Sequence, residues 1–131
     1  MDDVADDFLY VHYIHWLNKV IFMRIETEKS WYANIWIAGD YDLAVTVCQA
    51  FCDHDPTCVT VTKTNYVYTG GSQEGVCVRM IQYPRFPTPV ATLKEQAGRL
   101  AEALFIGLDQ QSYSIEFPDR TVWYSAREED N

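Results

Sequence analysis

The sequence predicts an α+β domain, and three observations predict it. Segments of alternating polar and apolar residues recur along the chain, two segments carry apolar residues at helical spacing, and these occur in the order strand, helix, strand, strand, helix, strand, strand. Two consecutive β-α-β units of this kind, sharing one antiparallel sheet with both helices on one face, give a ferredoxin-like β-α-β-β-α-β sandwich with an extra C-terminal strand. An N-terminal helix precedes it. The predicted organisation is a helical arm at 1–22, the α+β domain at 23–126 and an acidic tail at 127–131.

The first strand is expected over Ser30 to Ala38, SWYANIWIA, which is rich in aromatic and β-branched residues and ends at Gly39-Asp40. Asp40 is suited to cap a helix from Tyr41 to about Asp53, whose stripe is Ala44, Val47, Cys48, Phe51 and Cys52. Asp55-Pro56 ends it, because a residue before proline is pushed out of the helical region. Thr57 to Tyr68 and Gly75 to Tyr83 alternate as strands, and the glycines of Thr69-Gly70-Gly71-Ser72-Gln73-Glu74 predict a hairpin with a long loop between them. A second helix is expected after Thr88 as cap and Pro89 as first residue, with Val90, Leu93, Ala97, Leu100 and Leu104 at helical spacing and Gly107 at its end. A hairpin around Pro118-Asp119-Arg120 closes the chain.

The segment from Asp7 to Phe22 predicts a helix whose apolar residues lie nearly all round, which requires packing on more than one side. His12, Tyr13, Trp16 and Val20 are its expected contact residues, against the sheet or against a second copy of the chain. Met23 offers an alternative start that would make 1–22 a separable extension. The apolar stretch is interrupted by His12, His15, Asn18 and Lys19 and is too short for a bilayer, so no membrane contact is expected.

The 131 residues fit one domain, and 48% hydrophobic, 22% charged and 15% aromatic content is that of a folded protein. The net charge of −9 is concentrated at the ends: seven of nineteen acids lie among the first seven and last four residues, leaving twelve acids against ten bases between them. Without basic patches, direct binding of nucleic acid is disfavoured. The acidic opening MDDVADD is unlike a secretory signal, so Cys48, Cys52, Cys58 and Cys77 are expected as reduced thiols in the cytosol. Cys48, Cys52, His54 and Cys58 include enough soft ligands for zinc, but the first pair sits on a helix stripe where thiols act as small core hydrophobes, and no metal site is expected.

No nucleophile–base motif occurs in a readable context, so no catalytic residues and no cofactor are assigned. The strongest binding surface expected is the hairpin: Tyr66 and Tyr68 lead into Gly70 and Gly71, whose amides could hold an anion, while Arg79, Tyr83, Arg85 and Phe86 follow. Tyrosine and arginine are typical of interface hot spots, and such side chains can also stack a nucleotide base.

The runs Cys58-Val59-Thr60-Val61-Thr62, Asn65-Tyr66-Val67-Tyr68-Thr69-Gly70-Gly71, Glu74-Gly75-Val76 and Tyr83-Pro84-Arg85-Phe86-Pro87 resemble a group of small bacteriophage and prophage accessory proteins, over roughly residues 31 to 126. That resemblance implies action inside an infected host, where many such proteins inhibit CRISPR complexes, restriction enzymes or nucleotide-signalling defences. The function expected from the sequence is therefore a non-enzymatic inhibitor that docks on a host protein complex. The alternatives are a sponge for a signalling nucleotide and a structural protein that oligomerises through its N-terminal helix.

Overall fold

The computed structural model describes residues 4–128, with side chains from Asp7 onward. Expectations attached to Asp2, Asp3, Asp6, Glu129 and Asp130 lie outside those described side chains. The elements run α1 (Val4–Ile21), β1 (Tyr32–Ala38), α2 (Tyr41–His54), β2 (Thr60–Tyr68), β3 (Gly71–Ile81), α3 (Val90–Gly107), β4 (Ser112–Glu116) and β5 (Thr121–Ser125). The sheet order is β2-β3-β1-β4-β5, and every neighbouring pair is antiparallel. This is the predicted α+β sandwich, with β1 at its centre and β5 appended outside β4.

Both α2 and α3 cover one face of the sheet. Ala33, Ile35 and Ile37 of β1, Val76, Val78 and Met80 of β3 and Tyr113 and Ile115 of β4 meet Ala44 and Cys48 of α2 and Leu93, Ala97, Leu100 and Leu104 of α3. Asp40 caps α2 as its sequence predicts: its Oδ2 accepts from the Leu43 amide at 2.9 Å. The two helices approach closely because Gly107 has no side chain. A Cβ there would lie 2.8 Å from Val47 Cγ2.

Three local expectations are corrected. The long loop between β2 and β3 does not form, because Tyr68 pairs with Gly71 and only Thr69 and Gly70 turn the chain. Gly70 at φ +90° supplies the one left-handed residue that this turn needs, so Ser72, Gln73 and Glu74 extend β3 instead. Thr88 does not cap α3, since the Gln82 amide engages its backbone N–H and C=O and its hydroxyl donates to Phe86 O. Finally, α1 does not cover the sheet: its large side chains, including Phe8, Tyr10, Tyr13 and Trp16, stay exposed.

Candidate functional site on the open sheet face

Residues that alternate with the core occupy the face away from the helices, so the strand register determines which of them meet. One row across the sheet is Thr60, Arg79, Asn34, Glu116 and Thr121. The next is Thr62, Cys77, Trp36, Ser114 and Trp123. Trp36 and Trp123 therefore stand on either side of β4 with the small Ser114 between them. At a strand spacing of ~4.8 Å, their main chains are roughly 10 Å apart.

Glu116 is the polar centre of this face. Its Oε1 accepts from Asn34 Nδ2 at 3.1 Å and from Trp36 Nε1 at 3.0 Å. These two donors, chiefly Asn34, together with the nearby Arg79 guanidinium, hold the Glu116 carboxyl below the usual carboxylate range, so it is an anion at neutral pH. Arg79 also lies over the Tyr32 ring, 5.5 Å from its centroid. Beside them the Cys77 thiol is pushed up, first by burial and then by the Glu116 charge, and so stays protonated. Among the described residues Asn34 Oδ1 is buried without a hydrogen-bond partner, an arrangement that ordinarily costs roughly 1–3 kcal/mol.

A groove of about 310 Å³ opens next to this cluster, within the size range of small-molecule pockets. Its walls are Trp36, Ala38, Tyr66, Gln73, Trp123 and Arg127 together with residues 109–114. Tyr66 is fixed there: its hydroxyl donates to Val76 O at 2.7 Å, and its ring covers Gly75, where any Cβ would collide with it. Burial is the main reason that the Tyr66 phenol is pushed up to about 12. The groove is thus an aromatic and amide-lined recess beside a held carboxylate.

The structure divides the binding residues expected from the sequence. Tyr66 lines the groove and Arg79 flanks Glu116. Tyr68, Gly70 and Gly71 lie at the far tip of the β2–β3 hairpin, where Gly71 makes room for the Tyr68 ring. Tyr83, Arg85 and Phe86 follow the opposite end of β3. There Cys58 Sγ donates to Tyr83 OH at 3.5 Å and the Arg85 guanidinium lies over the Phe86 ring. Tyr83 and Phe86 instead line a separate, mostly apolar recess of about 380 Å³ between α3 and the segment before β2. These eight residues do not form one surface. Asn34, Trp36, Ser114, Glu116 and Trp123 were not singled out from the sequence. The only signal for them is the period-two placement of polar and aromatic residues opposite the core, and it cannot say which strands adjoin.

The cysteines are free. Cys48 is buried in the core, and that burial pushes its thiol up to about 12. Among the described residues, no three His, Cys, Asp or Glu side chains come together as metal ligands, and no helix is long and apolar enough to cross a membrane.

No protein-family model and no curated protein matches the sequence. Solved structures do share the fold. A phage SAM lyase in its apo state superposes with a TM-score of 0.64 at 13% identity, covering 82% of this chain and 100% of its own. A phage SAM lyase in complex with S-methyl-5′-thioadenosine gives 0.56 at 12% identity, covering 83% of this chain and 99% of its own. Both neighbours are phage proteins, in keeping with the resemblance of the sequence to phage accessory proteins. They are also enzymes, and this overturns the expectation of a non-enzymatic inhibitor docking on a host defence complex.

Proposed function

We propose that this protein binds S-adenosylmethionine on the open sheet face and cleaves it to S-methyl-5′-thioadenosine. What carries the reading is the shared fold with phage SAM lyases, one of them holding that thioether. The groove beside Glu116 supports it independently. An adenine ring fits between aromatic faces, and base stacking of this kind is worth ~1–3 kcal/mol. A sulfonium is a cation without hydrogen-bond donors, so it is recognised by an anion and by aromatic faces rather than by a hydrogen-bond pair. Glu116 with Trp36 and Trp123 supplies both.

The chemistry explains why a catalytic acid and base need not be present. The bond between sulfur and Cγ of the aminobutyrate chain breaks, and its electron pair stays on sulfur, which becomes a neutral thioether. Cγ is taken by the substrate's own carboxylate, closing a five-membered lactone. No proton moves and no water is consumed. The residues then act by holding the chain folded for ring closure and by excluding water, contributions that belong to positioning and desolvation. In this scheme Glu116 holds the sulfonium, Trp36 and Asn34 hold Glu116, and Trp123 and Tyr66 flank the nucleoside.

The test is incubation of the purified chain with S-adenosylmethionine, followed by mass spectrometry of the products. The expected result is S-methyl-5′-thioadenosine and homoserine lactone in equal amounts, lost when the groove is blocked by Ser114→Trp. An intact substrate, with no binding of S-methyl-5′-thioadenosine by calorimetry, defeats the proposal.

A further inference from the structure

The turn that joins α3 to β4 holds an aspartate where two local rules disfavour one, and that turn forms a wall of the groove. The last residues of α3 close in a Schellman motif: the Asp109 amide donates to Ile106 O at 3.2 Å and the Gln110 amide to Phe105 O at 3.1 Å. This motif requires a left-handed residue at its bend, a place usually taken by glycine and sometimes by asparagine. Here it is Asp109 at φ +52°, the only non-glycine residue with positive φ among the described residues. A carboxylate is also misplaced electrostatically. The C-terminus of a helix is the negative end of its dipole, and the last turn of α3 has no basic residue to offset it.

Among the described residues, no hydrogen bond or ion pair engages the Asp109 carboxylate, although Arg127 lines the same groove. The turn is nonetheless held in place. Leu108 is buried against Gly39, where an added Cβ would lie 3.0 Å from Leu108 Cβ, and Gln110 Nε2 donates to Leu108 O at 3.0 Å. Residues that break local rules without a compensating contact inside the fold concentrate at binding sites.

The position of Asp109 selects the group it would meet. With a rise of ~3.4 Å per residue along β4, Asp109 lies at the far end of the groove from Glu116, beyond the row of Trp36, Ser114 and Trp123. In S-adenosylmethionine the ribose is one carbon from the sulfonium and the base projects away from it. With the sulfonium at Glu116, the far end receives the 6-amino group of adenine, which has N–H donors to give, and an ionised carboxylate can only accept. Resting on the proposed binding of S-adenosylmethionine, we infer that Asp109 is the residue that selects adenine. Its carboxylate accepts from the 6-amino group, and α3 bears an unfavourable C-terminus in order to place it there.

The test combines calorimetry with urea unfolding of the full chain. Its ligands are S-methyl-5′-thioadenosine and the analogue bearing hydrogen in place of the 6-amino group. In the native chain, loss of the amino group is expected to weaken binding about tenfold or more, the effect of one hydrogen bond to a charged acceptor. In Asp109→Gly the two ligands are expected to bind within about threefold of one another, as a double-mutant cycle requires of a broken contact. The urea midpoint of that variant is expected to rise, because glycine accepts the left-handed bend and the charge at the helix end is gone. Asp109→Asn retains an acceptor oxygen and is expected to keep part of the difference between the ligands. An undiminished difference in Asp109→Gly, or a urea midpoint that does not rise, overturns the inference. So does a native chain that binds both ligands equally, a result that leaves the reading of the open face intact. A chain that binds neither ligand defeats that reading and this inference with it.

Discussion

The Trp36 indole donates to Glu116 diagonally across the β1–β4 pair, at 3.0 Å, although Trp36 lies opposite Ser114 and Glu116 opposite Asn34. The same side chain therefore presents an aromatic face to the groove and fixes the carboxylate with its edge. A ring without an N–H would keep the first role and lose the second, and this separates the two contributions experimentally.

Glu116→Gln tests the charge. A carboxylate stabilises the sulfonium most in the bound substrate and less as the positive charge disappears on cleavage. Its removal is expected to raise KM about tenfold, the equivalent of ~1.4 kcal/mol, with kcat unchanged or raised. Steady-state kinetics on S-adenosylmethionine decide this, and a selective fall in kcat would assign Glu116 a different role.

The pH dependence follows from the same group. The Glu116 pKa is lowered in the folded protein by its two hydrogen bonds, so the anion and the stability it contributes are fully present above the ordinary carboxylate value. Both are lost as pH falls through the lowered value. Affinity for S-methyl-5′-thioadenosine, a neutral thioether, is expected to change less over that acid range than affinity for the sulfonium. Titration calorimetry of both ligands at acid and neutral pH makes the comparison.

For the aromatic pair, Trp123→Ala is expected to weaken S-methyl-5′-thioadenosine binding by roughly 5- to 150-fold, the range of ~1–3 kcal/mol for a stacked base. Trp36→Phe keeps a ring and is expected to cost the thioether little while weakening the sulfonium. Equal losses for both ligands in Trp36→Phe would mean that the Nε1–Glu116 bond has no part in recognition.

Gly107→Ala tests the helix contact. Replacing glycine by alanine within a helix ordinarily stabilises by ~0.5–1 kcal/mol. Here the added methyl lies 2.8 Å from Val47 Cγ2, on a stiff β-branched side chain, and overpacking of this kind costs ~1–3 kcal/mol. The expected outcome is a lower midpoint in urea. In a Val47→Ala background the same change is expected to raise the midpoint, because the clash is gone and the helix preference remains.

The architecture was legible because its signals are local. Alternation gave β1, β2, β3 and the last hairpin, helical spacing gave α2 and α3, and Asp40 caps where a short acidic residue before an apolar stripe should. Where a local signal had two readings, the wrong one was available: the glycines at 70 and 71 suit a loose loop as well as a tight turn, and only the continued pairing from Ser72 to Glu74 distinguishes them. The site was mostly hidden because it is not local. Asn34 and Trp36 meet Glu116 through pairing of strands about eighty residues apart in sequence. Tyr66 and Arg79 were recognised as ligand-binding types but were grouped with Tyr83, Arg85 and Phe86, which the sheet carries to another end. The expectation of a non-enzymatic protein rested on the lack of an acid–base motif, and the reaction proposed above requires none.

Because Trp36 and Trp123 sit on strands that flank β4, the separation of their main chains is set by hydrogen bonding between strands. The aperture is therefore insensitive to most changes on the open face and acutely sensitive to bulk at position 114. If the proposed nucleoside site is right, a relative that had shifted to a different nucleoside is expected to differ there first, while keeping both tryptophans.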